Sequence, residues 1–468
     1  SLINKDMAYF LKPEPLRHPL IFYYGHTATF FINKLILGKY IDKRIDKRIE
    51  SVCAVGVDEM SWDDLNTDNY HWPTVDEVKD YRASVYLLML NLIETMDLTL
   101  PISKDSLAWI VLMGCEHERI HLETSSVIMR MLPLEHLTPS TDWAACESSN
   151  NAPINKLLSV KGQTLSLGKK NDDHTYGWDN EYGELLVKVD NFSASKFLVT
   201  NQEFLSFVET GGYQKKHYWT EEGQHWLLFK KPCMPVFWFK KDEQYFQRNL
   251  ASTMPLPLNW PVEVNYLEAK AFCQWKSKQT STYIKLPNEA QWYCLREQLA
   301  GDVLECNEVP ANINLSSFAS SCPVDYFADK NFANKNTAEN PFNDIVGNVW
   351  QWTETAIDGY NGFKVHPLYD DFSTPTFDGK HNLIKGGSWI STGNETIKSS
   401  RYAFRRHFFQ HAGFRYIETE NNDLTTSEVN PYESDSAVCQ QLESHYGSNY
   451  FNCANYPKTL AEFVTNTL

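Results

Sequence analysis

Two histidines one helical turn apart bracket a glutamate in "EHERIHLE", so that His117, Glu118 and His121 spell His-Glu-x-x-His. On a helix, residues i and i+4 project from one face, and both imidazoles can converge on a single ion. The same string is the signature of zinc metallopeptidases, where the glutamate is the general base. A peptidase needs a third ligand downstream. The metzincin continuation requires Gly at 124 and His at 127, and the chain has Thr124 and Val127. Glu135, the other downstream candidate, lies past Pro133, which ends the helix. The better third ligand is upstream: His26 in "FYYGHTATFF", preceded by Gly25, which permits close approach of another element. Its bland alternative is a satisfied core histidine on an apolar face. Three neutral imidazoles leave a divalent ion's charge intact and positions open for substrate, a donor set that suits iron or zinc.

The elements that must position these residues follow from periodicity. Pro19 opens "LIFYYGHTATFFINKLIL", in which Phe22, His26, Phe30 and Ile32 or Asn33 recur at helical spacing. Thr74 is a candidate N-cap for a helix over 74–96, and a further helix runs from about Lys104 to Leu132. Residues 1–135 thus predict a small helical bundle, whose interior can build a metal site from facing helices. Residues 136–160 contain "TPSTDWAACESSNNAP" and read as a linker. From 161 to 418 the chain is rich in Gly, Trp and Tyr, with short β-like runs ("LLVKVDNF", "KFLVT") and two short helices ("NQEFLSFVET", "NYLEAKAFCQWKSKQ"). This predicts an α+β domain with much irregular structure, held by aromatic packing. Residues 419–468 open polar and end in two short helical patterns, expected to form an arm on the body.

Composition narrows the classes. The 468 residues allow two to three domains at ~150 residues each. Hydrophobic content of 42% and aromatic content of 14% are ample for large cores and exclude bulk disorder. A formal charge of −16 argues against nucleic acid or an anionic membrane as a main partner. No apolar run reaches the ~18–20 residues of a membrane span, and "SLINKDMAYF" is no signal peptide. Ten cysteines stand singly without a Cys-x-x-Cys pair, as expected of reduced thiols in a cytoplasmic protein.

Several motifs then agree on one family. "LRHPLIFYYGHTATFFINKL", "AVGVDEMSWDDL" and "MGCEHERIHLETSSV" resemble the DinB-like helical part of ovothiol-type 5-histidylcysteine sulfoxide synthases. "KLPNEAQW", "IVGNVWQWTET", "KGGSW" and "YAFRRHFFQHAGFRY" resemble the formylglycine-generating-enzyme (C-type-lectin-like) domain of the ergothioneine and ovothiol sulfoxide synthases. The tail "NPYESDSAVCQQLESHYG" resembles the start of a fused methyltransferase. No S-adenosylmethionine loop accompanies it, so methyl transfer is not expected of this polypeptide, and a separate methyltransferase and lyase are expected in the pathway. The resemblance implies an O2-dependent enzyme that binds Fe(II) through His26, His117 and His121. It would join cysteine sulfur to an imidazole carbon of histidine as a sulfoxide. Glu118 would point away from the ligand face, since i+1 is turned ~100° from His117. Glu116 and Glu123 would be either acceptors behind the ligands or solvated charge.

The family also carries a tyrosine in the loop after "GNVWQWT". Here that loop reads "AIDGYNGF", with Asp358 at the usual position and Tyr360 two residues on, so Tyr360 is the expected catalytic tyrosine. Arg401, Arg405 and Arg406 are candidates for a substrate-carboxylate clamp. Asp58, with Glu59 and Asp63, is a candidate receiver of an amino group. Structural salt bridges are the competing reading for all of these. The displaced tyrosine leaves open trimethylhistidine as acceptor, another sulfur or selenium donor, or a fold retained as a binding module without turnover.

Overall fold

The structure, a computed structural model, describes residues 2–54, 71–297, 311–328, 342–370 and 372–419. Asp58, Glu59, Asp63 and the proposed C-terminal arm lie outside the described residues.

Among the described residues, four α-helices build the first part of the chain: α1 (Leu20–Leu37), α2 (Lys47–Cys53), α3 (Val75–Thr95) and α4 (Leu107–Met131). Pro19 stands at the N-cap of α1. Thr74 caps α3 through a reciprocal capping box with Glu77, and Ser106 caps α4. Leu132 leaves the helical conformation just before Pro133, as the sequence predicts. Helix α1 packs on the other three and is buried nearly all round. That is why its sequence is apolar on every face, and why a histidine at its centre faces protein on most sides. Helix α2, seven residues long, has no signal in the periodicity.

The second part alternates short strands and helices: β1 (Leu157–Val160), β2 (Gln163–Leu167), β3 (Leu185–Val189), β4 (Phe192–Ser195), α5 (Asn201–Glu209), α6 (Glu221–Lys230), β5 (Trp238–Lys241), β6 (Gln244–Arg248), β7 (Thr253–Pro255), α7 (Tyr266–Thr280), β8 (Tyr283–Lys285), α8 (Glu289–Arg296), β9 (Trp350–Ala356), β10 (His381–Lys385), β11 (Tyr402–Arg405), β12 (Ala412–Gly413) and β13 (Ile417–Thr419). Two four-stranded sheets, ordered β1-β4-β13-β8 and β11-β10-β9-β12, carry the frame. Strand β1 begins inside the stretch read as a linker. "KFLVT" forms no strand: Val199 N–H instead bonds the carbonyl of Phe414, at 2.9 Å. Aromatic residues dominate the core, with Trp226, Trp260, Trp292, Trp352 and Trp389 fully buried. "KGGSW" makes a turn in which Gly386 has φ +97° and stands where a Cβ would lie 2.6 Å from the Ile345 carbonyl oxygen, so only glycine fits.

The two parts are joined along α4 by buried polar contacts. Glu123 accepts from Trp350 Nε1 at 2.8 Å and from the Ser391 hydroxyl at 3.0 Å. One turn on, Ser126 Oγ lies 2.7 Å from His411 Nε2, and Arg130 pairs with Glu263 at 2.5 Å with both side chains 4% exposed. Each group is satisfied across the seam, so α4 is held in one register against the α+β domain.

Candidate metal centre

Helix α1 supplies a stripe of four residues at i, i+4 spacing: Phe22, His26, Phe30 and Lys34. Helix α4 crosses it with His117 and His121. Ligand atoms of His26, His117 and His121 all lie within 4.8 Å of one another. Phe22 stacks on His26 with ring centroids 4.8 Å apart and planes at 22°, and Phe30 stacks on His117 at 3.7 Å and 12°. These rings fix the imidazole planes and exclude water from one side of the cluster. Gly114 in α4 leaves the space that Phe31 occupies, since a Cβ there would lie 1.9 Å from the Phe31 ring.

Nε2 of His121 and Nε2 of His117 approach to 3.1 Å. Two imidazole lone pairs at that distance repel unless a proton or a cation lies between them. Cis ligands on one ion, with metal–nitrogen bonds of about 2.1 Å at right angles, sit about 3 Å apart, so the spacing fits a shared ion. His117 is 2% exposed, and burial, followed by the charges of His121 and His26, holds its pKa well below the ordinary value. Neutral imidazole is the ligating form. His26 Nδ1 lies 2.6 Å from the carbonyl oxygen of Cys53, which can only accept, so Nδ1 donates and Nε2 is left as the ligand nitrogen. The donor set is therefore three imidazole nitrogens, and the residues fit a divalent transition metal.

The acidic neighbours divide. Glu118 leaves the ligand face, as expected, and pairs with Arg82 rather than with Arg119, at 3.4 Å. Glu116 takes Arg119 at 2.6 Å, and burial pushes its carboxyl up to about 7. Neither Glu116 nor Glu123 is solvated charge; both are buried on the side of α4 that meets the second domain. Beside the cluster opens a cleft of 760 Å³, whose lining includes His121, Tyr23, Ser125, Arg82, Glu118 and Arg119.

The structure does not gather the other predicted residues here. Tyr360 is 3% exposed and packs in a different part of the core, its ring 3.9 Å from the Arg401 guanidinium. Arg401 is engaged with Glu289 (3.1 and 3.2 Å) and donates to the carbonyls of Asn180 and Asp358, the structural salt bridge weighed above. Arg406 pairs with Glu222 at 3.0 Å and Asn382 at 2.7 Å, and Arg405 closes β11 opposite His381. Arg401 stands apart from Arg405 and Arg406, both of which feel Asp378, so the three form no single clamp. Among the described residues two tyrosines reach the cluster: Tyr23, whose ring lies 5.8 Å from His121, and Tyr369, nine residues beyond Tyr360. The Tyr369 ring lies 6.1 Å from His117 and 5.0 Å from Phe30, with Lys34 Nζ 3.9 Å above it. The sequence held one usable signal for it, the continuation of the α1 stripe to Lys34, but nothing local tied "HPLYDDF" to that stripe.

Comparison with known proteins agrees with this architecture. Residues 144–420 match the sulfatase-modifying factor enzyme 1-like domain, and residues 5–125 match the DinB superfamily. The first match covers more than half of the chain, which belongs to that family. Among curated relatives, the chain is similar to ergothioneine biosynthesis protein 1 of Schizosaccharomyces pombe, 25% identical over 456 residues, covering 89% of this chain and 52% of that protein. It is similar also to hercynine oxygenase of Mycobacterium tuberculosis, 25% identical over 333 residues, covering 68% of this chain and 74% of that one. The domain pair and these relatives place the chain in the ergothioneine/ovothiol sulfoxide synthase superfamily. It spans about half the length of the first of these relatives.

Proposed function

We propose that this chain is an O2-dependent, mononuclear non-haem iron enzyme that joins cysteine sulfur to an imidazole carbon of histidine and oxidises that sulfur to the sulfoxide. The observation that carries the reading is the cluster of three imidazoles, joined by no carboxylate among the described residues, in a bundle fastened to a sulfatase-modifying-factor domain. The reaction balances with O2 as the oxidant: S–H and C–H bonds are lost, S–C and S=O bonds form, and the second oxygen leaves as water. Fe(II) held by His26, His117 and His121 would supply a Lewis-acidic centre with open positions and one-electron chemistry.

The protein's part is placement. The α1 stripe and α4 fix the three ring planes, and Phe22 and Phe30 keep bulk water off them. The cleft at His121 carries Arg82 and Arg119 beside Glu118 and Asp142, charges of both signs suited to a small zwitterion. Holding both substrates there makes their union effectively unimolecular. Tyr369, beside His117, would give or take a proton there, while Tyr23 lines the cleft beside His121. A substrate contact by Arg401 or Arg406 would require each to leave its present carboxylate partner. The sulfoxide would pass to a C–S lyase and a methyltransferase.

A second reading, with trimethylhistidine (hercynine) as acceptor, is favoured by the names of the hercynine oxygenases among the relatives. Metal analysis after anaerobic Fe(II) loading tests the site: one equivalent of iron is expected in the protein, and none in His117→Ala. Zinc at one equivalent, with iron neither bound nor needed, contradicts the proposal. Competition between equimolar histidine and trimethylhistidine then decides the acceptor.

A further inference from the structure

We infer that α2 is a positioning element for His26: the carbonyl at its C-terminal end sets which ring nitrogen carries the proton, and Gly25 is the residue that lets α2 come close enough. The inference rests on the metal reading for its purpose, though its geometry stands alone. Cys53 is the last residue of α2, and its carbonyl belongs to the set that an α-helix leaves without an internal partner. His26 Nδ1 meets that oxygen at 2.6 Å. An acceptor on Nδ1 forces the proton there, leaves the Nε2 lone pair for a metal and raises the basicity of the ring.

Gly25 has no unusual backbone angle to justify it. Its justification is space: a Cβ at position 25 would lie 2.5 Å from Cys53 Sγ, 3.4 Å from Cys53 Cβ and 3.8 Å from Val78 Cγ1. Glycine in a helix interior is less favourable than alanine, and what it permits here is the close approach of α2. The rest of α2 is built to hold still. The Asp46 side chain accepts from the N–H groups of Arg48 and Ile49. Buried Glu50 accepts from Arg44 at 2.8 Å and from the N–H groups of Ile45 and Asp46 at 2.9 and 3.1 Å. Ile49 and Cys53 enter the core with Ala28, Ile32 and Val85. The Cys53 thiol is wholly buried, so it acts by its size and not as a nucleophile.

The test uses the full chain labelled with ¹⁵N-histidine, without metal, and long-range proton–nitrogen correlation, with His26 assigned by its loss in His26→Ala. Wild type is expected to show His26 protonated at Nδ1. Gly25→Ala is expected to lose that signature and to bind Co(II) some 10–100-fold more weakly, the usual effect of losing a partner behind a ligand. Gly25→Ala/Cys53→Ala removes Sγ, keeps the carbonyl and relieves the 2.5 Å clash, so both signature and affinity should return. Cys53→Ala alone should resemble wild type. Unchanged signature and affinity in Gly25→Ala overturns the inference, as does a double variant no better than the single one. If Gly25→Ala does not fold, His26 protonated at Nε2 in wild type overturns it directly. A wild type that binds no Co(II) yet shows Nδ1–H on His26 refutes the metal reading and leaves the positioning by α2 standing.

Discussion

At the scale of residues, the loop after β9 contains two tyrosines in different surroundings. Tyr360 is enclosed with Arg401, while Tyr369 faces Phe30 and His117. If a tyrosine proton directs oxygen toward C–S bond formation, Tyr369→Phe should shift the ratio of sulfoxide adduct to cysteine sulfinate by about tenfold or more. Tyr360→Phe should leave that ratio unchanged, and product mass spectrometry distinguishes the two. The opposite pattern would return the role to Tyr360. The histidines were legible because i, i+4 spacing is a local property, and His26 because glycine precedes it. Tyr369 was not, since a loop residue's neighbour is set by tertiary structure. The arginines misled for a similar reason: guanidinium suits a substrate carboxylate and a buried glutamate equally well, and Glu289 lies 112 residues from Arg401.

Among elements, α4 has two tasks, presenting His117 and His121 on one face and locking to the second domain on another. Its end was readable from Pro133 and its start only to within a few residues, at about Lys104 where Ser106 is the cap; its docking was not, because Trp350, Ser391 and His411 are contributed from far along the chain. The buried Arg130–Glu263 pair gives this seam a measurable energy. Arg130→Met should destabilise the protein by about 3–5 kcal/mol in urea unfolding, because it leaves buried Glu263 with only His411 and Ser321 beside it. Arg130→Met/Glu263→Met should recover most of that loss. A single variant as stable as wild type would show that the seam does not depend on the pair. Helix α2 escaped the sequence reading because two turns carry too little periodicity, yet it holds the third histidine in orientation.

For the molecule as a whole, the mixture of helical bundle and α+β domain was visible in the shift of composition near residue 160. The sheet order was not, since strands of two to seven residues pair over long separations. Among the described residues no helix is long and apolar enough to cross a membrane. The interior holds carboxyls that prefer their protons: burial pushes Glu268 and Asp344 each up to about 7. A folded-state pKa above the unfolded value contributes stability at low pH that is lost as pH rises through the folded value. Glu263 has the opposite sign: although burial raises it, Arg130 and His411 bring it down to about 2, so its contribution is lost only in strong acid. Buried His117 and His366, held neutral, work the other way below about pH 6.5, the unfolded histidine value, so the raised carboxyls govern from about pH 6.5 to 8. The melting temperature of the metal-free protein should fall across that range, and fall less in Glu268→Gln. A melting temperature that rises from about pH 6.5 to 8 contradicts this assignment.

The proposed chemistry of the three histidines, oxidative joining of a thiol to an imidazole, is tested by the product formed in air by Fe(II)-loaded protein given cysteine and histidine, read by mass spectrometry with isotopically labelled histidine. One product containing both amino acids and one oxygen atom from ¹⁸O2 is expected, absent in His26→Ala, His117→Ala and His121→Ala. Cysteine sulfinate alone, with histidine and trimethylhistidine both recovered unchanged, would contradict it.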